Sequence, residues 1–220
     1  MLETDVAGER VVLLPERALY WPRERTLFIA DAHFGKDAVF RAGGLPVPDG
    51  TNGETLAVLD ALIERHGAAR VVFLGDFLHA RTARTPGTLA ALADWRARHA
   101  ALGLLLVRGN HDLHAGDPPA ALGIEVVAEP HPLGPFAACH EPCAVPGAYA
   151  LAGHLHPAFV VRGRARQSVR LPCFVLGPEC GVLPAFGRFT GTMPVIARPG
   201  DRVFVVADDN VLPVPLSSTT

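Results

Sequence analysis

The sequence predicts an α/β fold in which two β-sheets pack against each other, with helices outside both. In the first half of the chain, short apolar runs alternate three times with helical patterns, and such repeats build mainly parallel sheets. In the second half, short apolar segments follow one another with weak helical periodicity, which favours a mixed or antiparallel sheet. A chain of 220 residues, 49% of them hydrophobic, is also long enough to bury one sizeable core.

Three apolar runs in the first half are predicted strands that end at polar residues, at 26–30, 71–74 and 104–107. The helix after the first strand begins at Thr51, where Thr51 and Glu54 match a capping box, and it ends near Gly67. The next helix begins at Pro86, because proline at the first helical position loses no hydrogen bond, and it extends to about residue 101.

Five apolar segments in the second half are predicted short strands, at 136–139, 149–152, 158–162, 169–176 and 203–206. Gly163 and Arg164 are expected to turn a hairpin between the third and the fourth of these strands. We expect a single domain over residues 1–220, in which residues 216–220 form a frayed end.

Composition excludes several classes of protein. The 49% hydrophobic and 19% charged residues exclude an intrinsically disordered chain. A formal net charge of −2 provides no overall basic field, so charge by itself does not predict nucleic-acid binding. The longest stretch without charged residues, 142–161, contains three prolines and two histidines and is not expected to span a membrane. The first residues lack the pattern of a secretory signal, so a cytoplasmic location is expected.

The four cysteines leave two interpretations open. In a cytoplasmic chain of this size they are expected to be reduced and buried, as Cys173 and Cys180 would be. Cys139 and Cys143 flank His140, which is compatible with a structural zinc site. Their four-residue spacing is wide for such a site, however, and the other two cysteines do not repeat it.

Polar groups that can bind metal or act in catalysis follow five of the predicted strands: Asp31-x-His33, Gly75-Asp76, Gly109-Asn110-His111-Asp112, His140 and Gly153-His154-x-His156. Sites in open α/β sheets form beyond the carboxyl ends of the strands, so we expect these groups to converge at one edge. Each short group by itself is common in turns, whereas all five groups in this order are far more specific for a metal-binding or catalytic site. Alternation along a strand would let the His154 and His156 rings face one ion.

The donor set predicts divalent cations. Buried carboxylates and imidazoles need partners, because unpaired burial of charged and polar groups is costly. Two aspartates, one asparagine and four histidines offer oxygen and imidazole ligands that suit Mn, Fe, Zn or Ni. Seven ligands with one shared carboxylate fit two ions, and two ions about 3.5–4 Å apart are a common arrangement for attack on phosphorus.

The order of these groups resembles the calcineurin-like metallophosphoesterase superfamily over about residues 26–157. The resemblance implies a four-layer α-β-β-α sandwich of two mixed β-sheets flanked by helices, and a metal-dependent phosphoesterase. It also implies three ligands for each ion and Asp76 as a bridge between the two ions. These ligands are Asp31, His33 and His156 for the first ion, and Asn110, His140 and His154 for the second.

The same resemblance implies that His111 acts near the leaving group as an acid or charge stabiliser and that Asp112 orients it. One position departs from the family pattern, in which the second motif often reads Gly-Asp-x-x-Asp. Here the last position is His79, which is not expected to bind metal and is instead expected to contact the substrate. Arg81 and Arg84 follow this motif and are expected to hold phosphates at the rim of the site.

A narrower resemblance covers about residues 13–213 and concerns the bacterial ligase-associated DNA damage response endonucleases. The motifs that carry it are DAHFGK at 31–36, GDFLH at 75–79, CHEP at 139–142, GHLHP at 153–157 and LPAFGRFTG at 183–191. It implies a phosphodiesterase or endonuclease that acts on DNA in DNA repair, beside a DNA ligase, a helicase and an exonuclease-like partner. Two divalent ions per chain are expected; manganese is the expected metal, and Fe, Zn or Ni are the alternatives.

Two other functions remain open. A phosphodiesterase acting on cyclic or dinucleotide small molecules would use the same metal ligands. A non-catalytic scaffold of the same fold need not keep all seven ligands and His111, whereas this sequence has them all. Arginines near the fifth polar group, at 162, 164, 166 and 170, support a phosphate-rich substrate, although an Arg-rich solvated surface has the same composition.

Overall fold

The computed structural model describes residues 1–45, 47, 50–163, 167–187 and 190–215. The expected frayed end at 216–220 lies outside the described residues, as do Arg164 and Arg166 of the expected hairpin turn. Within the described ranges, no helix is both long and apolar enough to cross a membrane.

The first sheet has seven strands that follow one another in chain order. They are β1 (Leu2–Val6), β2 (Glu9–Leu13), β3 (Ala18–Trp21), β4 (Thr26–Ile29), β5 (Arg70–Leu74), β6 (Gly103–Val107) and β7 (Glu125–Val127). Strands β1 to β4 pair antiparallel, and strands β4 to β7 pair parallel. The three strands predicted in this half are therefore confirmed as the parallel centre of the sheet, and three antiparallel strands that were not predicted precede them.

Four α-helices are described: α1 (Lys36–Ala42), α2 (Thr51–His66), α3 (Pro86–Arg98) and α4 (Asn110–Ala115). The start of α3 is as predicted, because the Thr85 hydroxyl accepts a hydrogen bond from the Thr88 amide at 3.2 Å. The predicted capping box of α2 is wrong. Gly50 is the N-cap, with a left-handed φ of 91°, so Thr51 already lies inside the helix and cannot adopt the extended conformation of a capping residue.

The second sheet contains nine strands. They are β8 (His131–Leu133), β9 (Phe136–Ala138), β10 (Tyr149–Ala152), β11 (Pro157–Arg162), β12 (Ser168–Leu176), β13 (Cys180–Val182), β14 (Met193–Pro194), β15 (Arg202–Ala207) and β16 (Asn210–Pro213). Its pairs are both parallel and antiparallel, which confirms a mixed sheet. The predicted hairpin is the antiparallel pair β11–β12, in which Arg162 lies opposite Ser168.

The core fills both faces of the first sheet. Along β4, Leu27 and Ile29 pack with Leu59 of α2 and Trp95 of α3, whereas Phe28 belongs to the layer between the two sheets. Burial of each such side chain contributes roughly 1.5–3 kcal/mol, so the central strands are apolar throughout rather than alternating.

The outer face of the second sheet is covered by extended segments in the described part of the chain. Val145 and Ala148 pack on the β9–β10 side, and Val195 and Ala197 pack on the β12–β15 side. The described residues after Leu122 form no helix, and α2, α3 and α4 pack on the first sheet through residues such as Leu59, Trp95 and Ala115. Prolines and glycines recur through the second half of the chain and interrupt helices, which explains the weak helical periodicity there.

Candidate metal centre

The structure brings the predicted donors to the carboxyl ends of strands from both sheets. Asp31 and His33 follow β4, Asp76 follows β5, and Asn110 begins α4 after β6. The remaining donors come from the second sheet, His140 after β9, and His154 and His156 after β10. The two sheets are joined at this edge, because the His154 amide donates to the Asp31 carboxylate at 2.9 Å.

Five donors have a left-handed backbone, which side chains other than glycine rarely adopt. Their φ values are 52° for Asp31, 47° for His33, 50° for Asp76, 67° for His154 and 47° for His156. Such strained residues persist only where the surrounding structure fixes them, and they concentrate at functional sites. Five of the nine described non-glycine residues with a positive φ thus lie at this edge, which agrees with a functional role.

One group of donor atoms is formed by Asp31, His33 and His156. His33 Nε2 lies 3.4 Å from His156 Nε2, and His156 Nε2 lies 3.6 Å from Asp31 Oδ1. His33 Nε2 also lies 3.7 Å from Asp76 Oδ2. Potential ligand atoms of the first three residues all lie within 4.8 Å of one another.

A second group of donor atoms is formed by Asn110, His140 and His154. His140 Nε2 lies 2.7 Å from Asn110 Oδ1, and His154 Nδ1 lies 3.0 Å from His140 Nε2 and 3.1 Å from Asn110 Oδ1. His140 Nε2 lies 3.5 Å from Asp76 Oδ1. The two oxygens of Asp76 thus face different groups, so this carboxylate lies between them.

His154 and His156 face different groups, which corrects the strand-alternation argument. The chain leaves β10 at Ala152, and both histidines lie in left-handed turns beyond the strand. Their rings therefore do not share one strand face. The division agrees with the separate ligand sets that the family resemblance implies.

The chemistry of the two groups fits bound cations. The Asp31 Oδ1 atom is buried and has no hydrogen-bond partner, which is costly for a carboxylate. Burial lowers the pKa of His33 to about 2, so its imidazole is neutral, and burial raises the pKa of Asp76. Neutral imidazole nitrogens packed closely against carboxylate oxygens present lone pairs to one another, and a divalent cation satisfies all of them.

Backbone carbonyls orient the rings of two donors. His140 Nδ1 donates a hydrogen bond to the Leu74 carbonyl at 3.1 Å, and His156 Nδ1 donates to the Gly191 carbonyl at 3.1 Å. Because Nδ1 of each ring faces a carbonyl oxygen, Nε2 is the nitrogen that is left to bind a metal ion. In both rings Nε2 points at the other donors, as in the outer shell of metal sites.

Gly75 and Gly109 are among the glycines that allow the donors to approach the backbone closely. A Cβ atom on Gly75 would overlap the imidazole ring of His140, and a Cβ atom on Gly109 would overlap the Asp76 carboxylate. Both neighbours are buried, so neither can move aside cheaply. The glycine in each motif is therefore part of the metal centre.

Glu129 supports the site and was not identified from the sequence. Its Oε2 atom accepts hydrogen bonds from the backbone amides of His140 at 2.6 Å and Glu141 at 2.9 Å. The carboxylate thereby fixes the backbone that carries the His140 ring. Glu129 lies in a loop between β7 and β8, and no local pattern distinguishes it from other surface glutamates.

The structure shows which contacts Asp112 makes, whereas its expected role in orienting the His111 ring stays a prediction. The Asp112 carboxylate accepts hydrogen bonds from the amides of Gly109 at 2.9 Å and Phe77 at 3.0 Å, so it ties together the loops after β5 and β6. The His111 ring is held instead by the His79 carbonyl, which accepts from Nδ1 at 2.6 Å. If Asp112 orients His111, it does so through the backbone of the loop that carries His79.

The structure brings His79 to the metal centre. Its ring stacks on His111 with centroids 5.1 Å apart, and its Nδ1 lies 3.4 Å from His33 Nδ1. Burial, followed by the charge of Lys36, lowers the pKa of His79 to about 4, which keeps the ring neutral. The neighbouring Arg81 is exposed, in a 3-10 turn at Arg81–Ala83.

Arg84 has a structural contact that was not expected. Its guanidinium donates to the Asp117 carbonyl at 2.7 Å and to the Gly116 carbonyl at 3.4 Å, beyond the end of α4. These bonds hold the segment after α4 in place.

All four cysteines are free thiols. Cys139 and Cys143 have their sulfur atoms 3.5 Å apart, and Cys173 is buried in another part of the second sheet. In the described ranges, none of the candidate metal-binding clusters contains a cysteine. The geometry thus favours free thiols over a zinc site. The expectation that all four are buried is wrong, because Cys143 is exposed and Cys180 is half-buried.

Comparison with known proteins agrees with this geometry. The family model for calcineurin-like phosphoesterases matches residues 24–138. The crystal structure of Pseudomonas putida nuclease MPE is 46% identical, with 97% of this chain and 99% of that chain covered and a TM-score of 0.86. The phosphoesterase YfcE from E. coli is 13% identical, with 86% of this chain and 97% of that chain covered and a TM-score of 0.42. No curated protein matches. The family model and the 46% identical structure show that the chain belongs to the calcineurin-like phosphoesterase family of metal-dependent hydrolases.

Proposed function

We propose that the chain is a two-metal phosphodiesterase that cuts DNA as an endonuclease in DNA repair. The observation that carries the proposal is the pair of donor groups that share Asp76, within a chain that is 46% identical to a nuclease over 97% of its length. The motif resemblance to ligase-associated endonucleases supports DNA as the substrate.

Each group of donors would hold one divalent cation, and Asp76 would contact both cations. We assign Asp31, His33 and His156 to the first ion, and Asn110, His140 and His154 to the second. The oxygen and imidazole donors suit manganese, and they also accept Fe, Zn or Ni. When bound, the two ions supply Lewis-acid stabilisation of phosphoryl charge and lower the pKa of water.

In this proposal, His111 acts on the leaving oxygen. The hydrogen bond from Nδ1 to the His79 carbonyl leaves Nε2 directed inward, 4.0 Å from Asp76 Oδ2. A ring fixed in this way can donate a proton or a hydrogen bond to the oxygen that leaves phosphorus. His79, stacked on this ring, would then hold the substrate against it.

Replacement of the shared carboxylate tests the proposal. Asp76→Ala is expected to abolish hydrolysis of bis-p-nitrophenyl phosphate and cleavage of both supercoiled and single-stranded DNA in manganese. Asp94→Ala removes an exposed carboxylate from α3 and serves as the matched control. Wild-type turnover by Asp76→Ala would contradict the metal assignment. Hydrolysis of the small diester by a wild-type protein that leaves DNA intact would favour a small-molecule phosphodiesterase instead.

The role of His111 is tested separately. His111→Ala is expected to retain both ions while turnover falls about 10²–10⁴-fold, the usual contribution of a positioned acid or base. Metal content measured by mass spectrometry separates this result from loss of the site. Parallel loss of metal and activity would mean that His111 is a ligand.

Action beside a DNA ligase is a further part of the proposal and rests on the motif resemblance. A ligase joins a 3′-hydroxyl to a 5′-phosphate, so direct cooperation requires cleavage that leaves these ends. Products sealed by a purified ligase without further processing would support this placement, and products with 3′-phosphates would count against it.

A further inference from the structure

We propose that Cys139 and Cys143 form a reversible disulfide when a peroxide oxidises the chain, and that this bond weakens metal binding by the adjacent His140. The two sulfur atoms lie 3.5 Å apart as free thiols. A disulfide bond is about 2.05 Å long, so the sulfurs must approach each other by roughly 1.5 Å. The disulfide itself does not depend on the proposed function, and only its effect on metal binding rests on the assignment of His140 as a ligand.

The two cysteines of the pair differ in how firmly the structure holds them. Cys139 is fully buried and follows β9 directly, and its amide donates to the Leu151 carbonyl at 2.9 Å. Cys143 is exposed and lies outside the helices and strands. Oxidants therefore reach Cys143 first, and the segment 141–143 absorbs the approach of the two sulfurs.

A third thiol, Cys180, is a competing partner for Cys143. It packs against the apolar cluster that contains Cys139. Burial raises the pKa of the Cys180 thiol to about 11, and the Cys143 backbone amide acts in the opposite direction, so Cys180 also lies close to Cys143. The sulfur–sulfur contact at 3.5 Å, however, joins Cys143 to Cys139. This contact favours Cys139 as the partner.

The reaction has two steps and uses a peroxide as the oxidant. The Cys143 sulfur attacks one oxygen of hydrogen peroxide, the O–O bond breaks, and a sulfenic acid and a water molecule form. The Cys139 sulfur then attacks the Cys143 sulfur, which forms the S–S bond and releases a second water molecule. The two thiols lose two electrons to the peroxide, and their protons leave in the two water molecules.

The segment that the disulfide closes carries His140, whose backbone Glu129 fixes. The Glu129 carboxylate accepts hydrogen bonds from the amides of His140 at 2.6 Å and Glu141 at 2.9 Å. Movement of 141–143 toward the buried thiol lengthens the bond to the Glu141 amide and loosens the restraint on His140. The His140 ring keeps its contact with the Leu74 carbonyl at 3.1 Å. Loss of orienting contacts lowers metal affinity about 10–100-fold, and we expect the lower value here.

Peptide mass mapping of the metal-free chain after peroxide treatment tests the disulfide. Trypsin releases Cys139 and Cys143 within one peptide, 109–162, and Cys173 and Cys180 within another, 171–188. We expect the first peptide to become lighter by two hydrogen atoms, and dithiothreitol to restore its mass. A cross-link between the two peptides, or a first peptide that keeps both thiols, would overturn the inference.

Manganese titration of the reduced and the oxidised chain, after removal of the reagents, tests the effect on the metal centre. In the wild type, oxidation is expected to raise the Kd of one manganese ion about tenfold, and dithiothreitol is expected to reverse this rise. Cys143→Ser removes the exposed thiol and is expected to give the same Kd before and after peroxide. Cys180→Ala is the matched control and is expected to respond as the wild type does.

Two results of this titration would overturn the coupling to the metal centre. One is a disulfide that leaves the manganese Kd of the wild type unchanged, and the other is an equal rise of the Kd in Cys143→Ser. Both the mass and the titration are measured without DNA, so failure of the chain to cleave DNA would bear on the proposed function alone.

Discussion

A methyl group added at position 75 would test how the metal centre depends on the backbone that carries it. Gly75 has a φ of +81°, and a Cβ atom there would occupy the space of the His140 ring. That ring is buried and held by the Leu74 carbonyl at 3.1 Å, while Glu129 fixes its backbone. Gly75→Ala must therefore push the ring away from its hydrogen bond.

The magnitude follows from two costs. A left-handed conformation at alanine costs about 1–2 kcal/mol, and a buried carbonyl left without its donor costs about 1–3 kcal/mol. We therefore expect the free energy of unfolding to fall by about 2–5 kcal/mol, which lowers the urea midpoint by roughly 1 M or more. Because the displaced ring is a predicted ligand, metal affinity is expected to fall about 10–100-fold.

Urea unfolding of the metal-free protein and manganese titration measure these two effects. Gly53→Ala is the matched control, since a Cβ atom at Gly53, within α2, meets nothing within 4 Å. It is expected to stabilise the protein by about 0.5–1 kcal/mol and to leave metal affinity unchanged. Wild-type stability and wild-type manganese affinity in Gly75→Ala would refute the steric argument and the assignment of His140 together.

Three further predictions concern the surroundings of the centre. Glu129→Ala removes the acceptor of the His140 amide and is expected to weaken metal binding about tenfold. Glu125→Ala, on β7, is the control and is expected to leave metal affinity unchanged. Equal metal affinities of the two variants, measured by calorimetry, would contradict this prediction. Burial lowers the pKa of Lys36, and the charges of Asp76 and Asp31 act in the opposite direction, so its ammonium lies within electrostatic reach of both carboxylates of the centre. Lys36→Met is therefore expected to reduce turnover at least tenfold with metal content unchanged, and unchanged kinetics would exclude this role. Two manganese ions, each at 100 times its Kd, stabilise the protein by about 5.4 kcal/mol in total. Removal of both ions with a chelator is therefore expected to lower Tm by roughly 11–22 °C, as measured by calorimetry.

The parts of the fold that the sequence predicts are those in which a local pattern coincides with burial. The central strands β4, β5 and β6 are apolar on both faces and end at polar donors. Both their positions and their parallel pairing could therefore be predicted from the sequence. The donors themselves were identified because each follows a strand, where residues from separate parts of the chain meet.

The N-terminal strands escaped prediction for a physical reason. The β1–β2 hairpin turns at Ala7 and Gly8, which have φ values of 50° and 78°. Alanine is unfavourable in this left-handed conformation, so the dipeptide lacks the Asn-Gly or Asp-Gly signature of such turns. Pairing and packing of the two strands stabilise this hairpin, and the two turn residues do not reveal these contacts.

The supporting contacts of the site were also beyond the reach of the sequence. Glu129 is 11 residues from His140, and the partner of the His111 ring is a backbone carbonyl, which every residue possesses. Asp112 was identified as important, but its bonds to two loops depend on how those loops pack. Ligand identity is thus encoded in local motifs, whereas ligand orientation depends on tertiary contacts.

Anomalous diffraction from a manganese-soaked crystal tests the central claim most directly. We expect two manganese peaks, one among Asp31, His33 and His156 and the other among Asn110, His140 and His154, with Asp76 in contact with both. A crystal with no peak at this edge, or with manganese bound only elsewhere, would contradict the account.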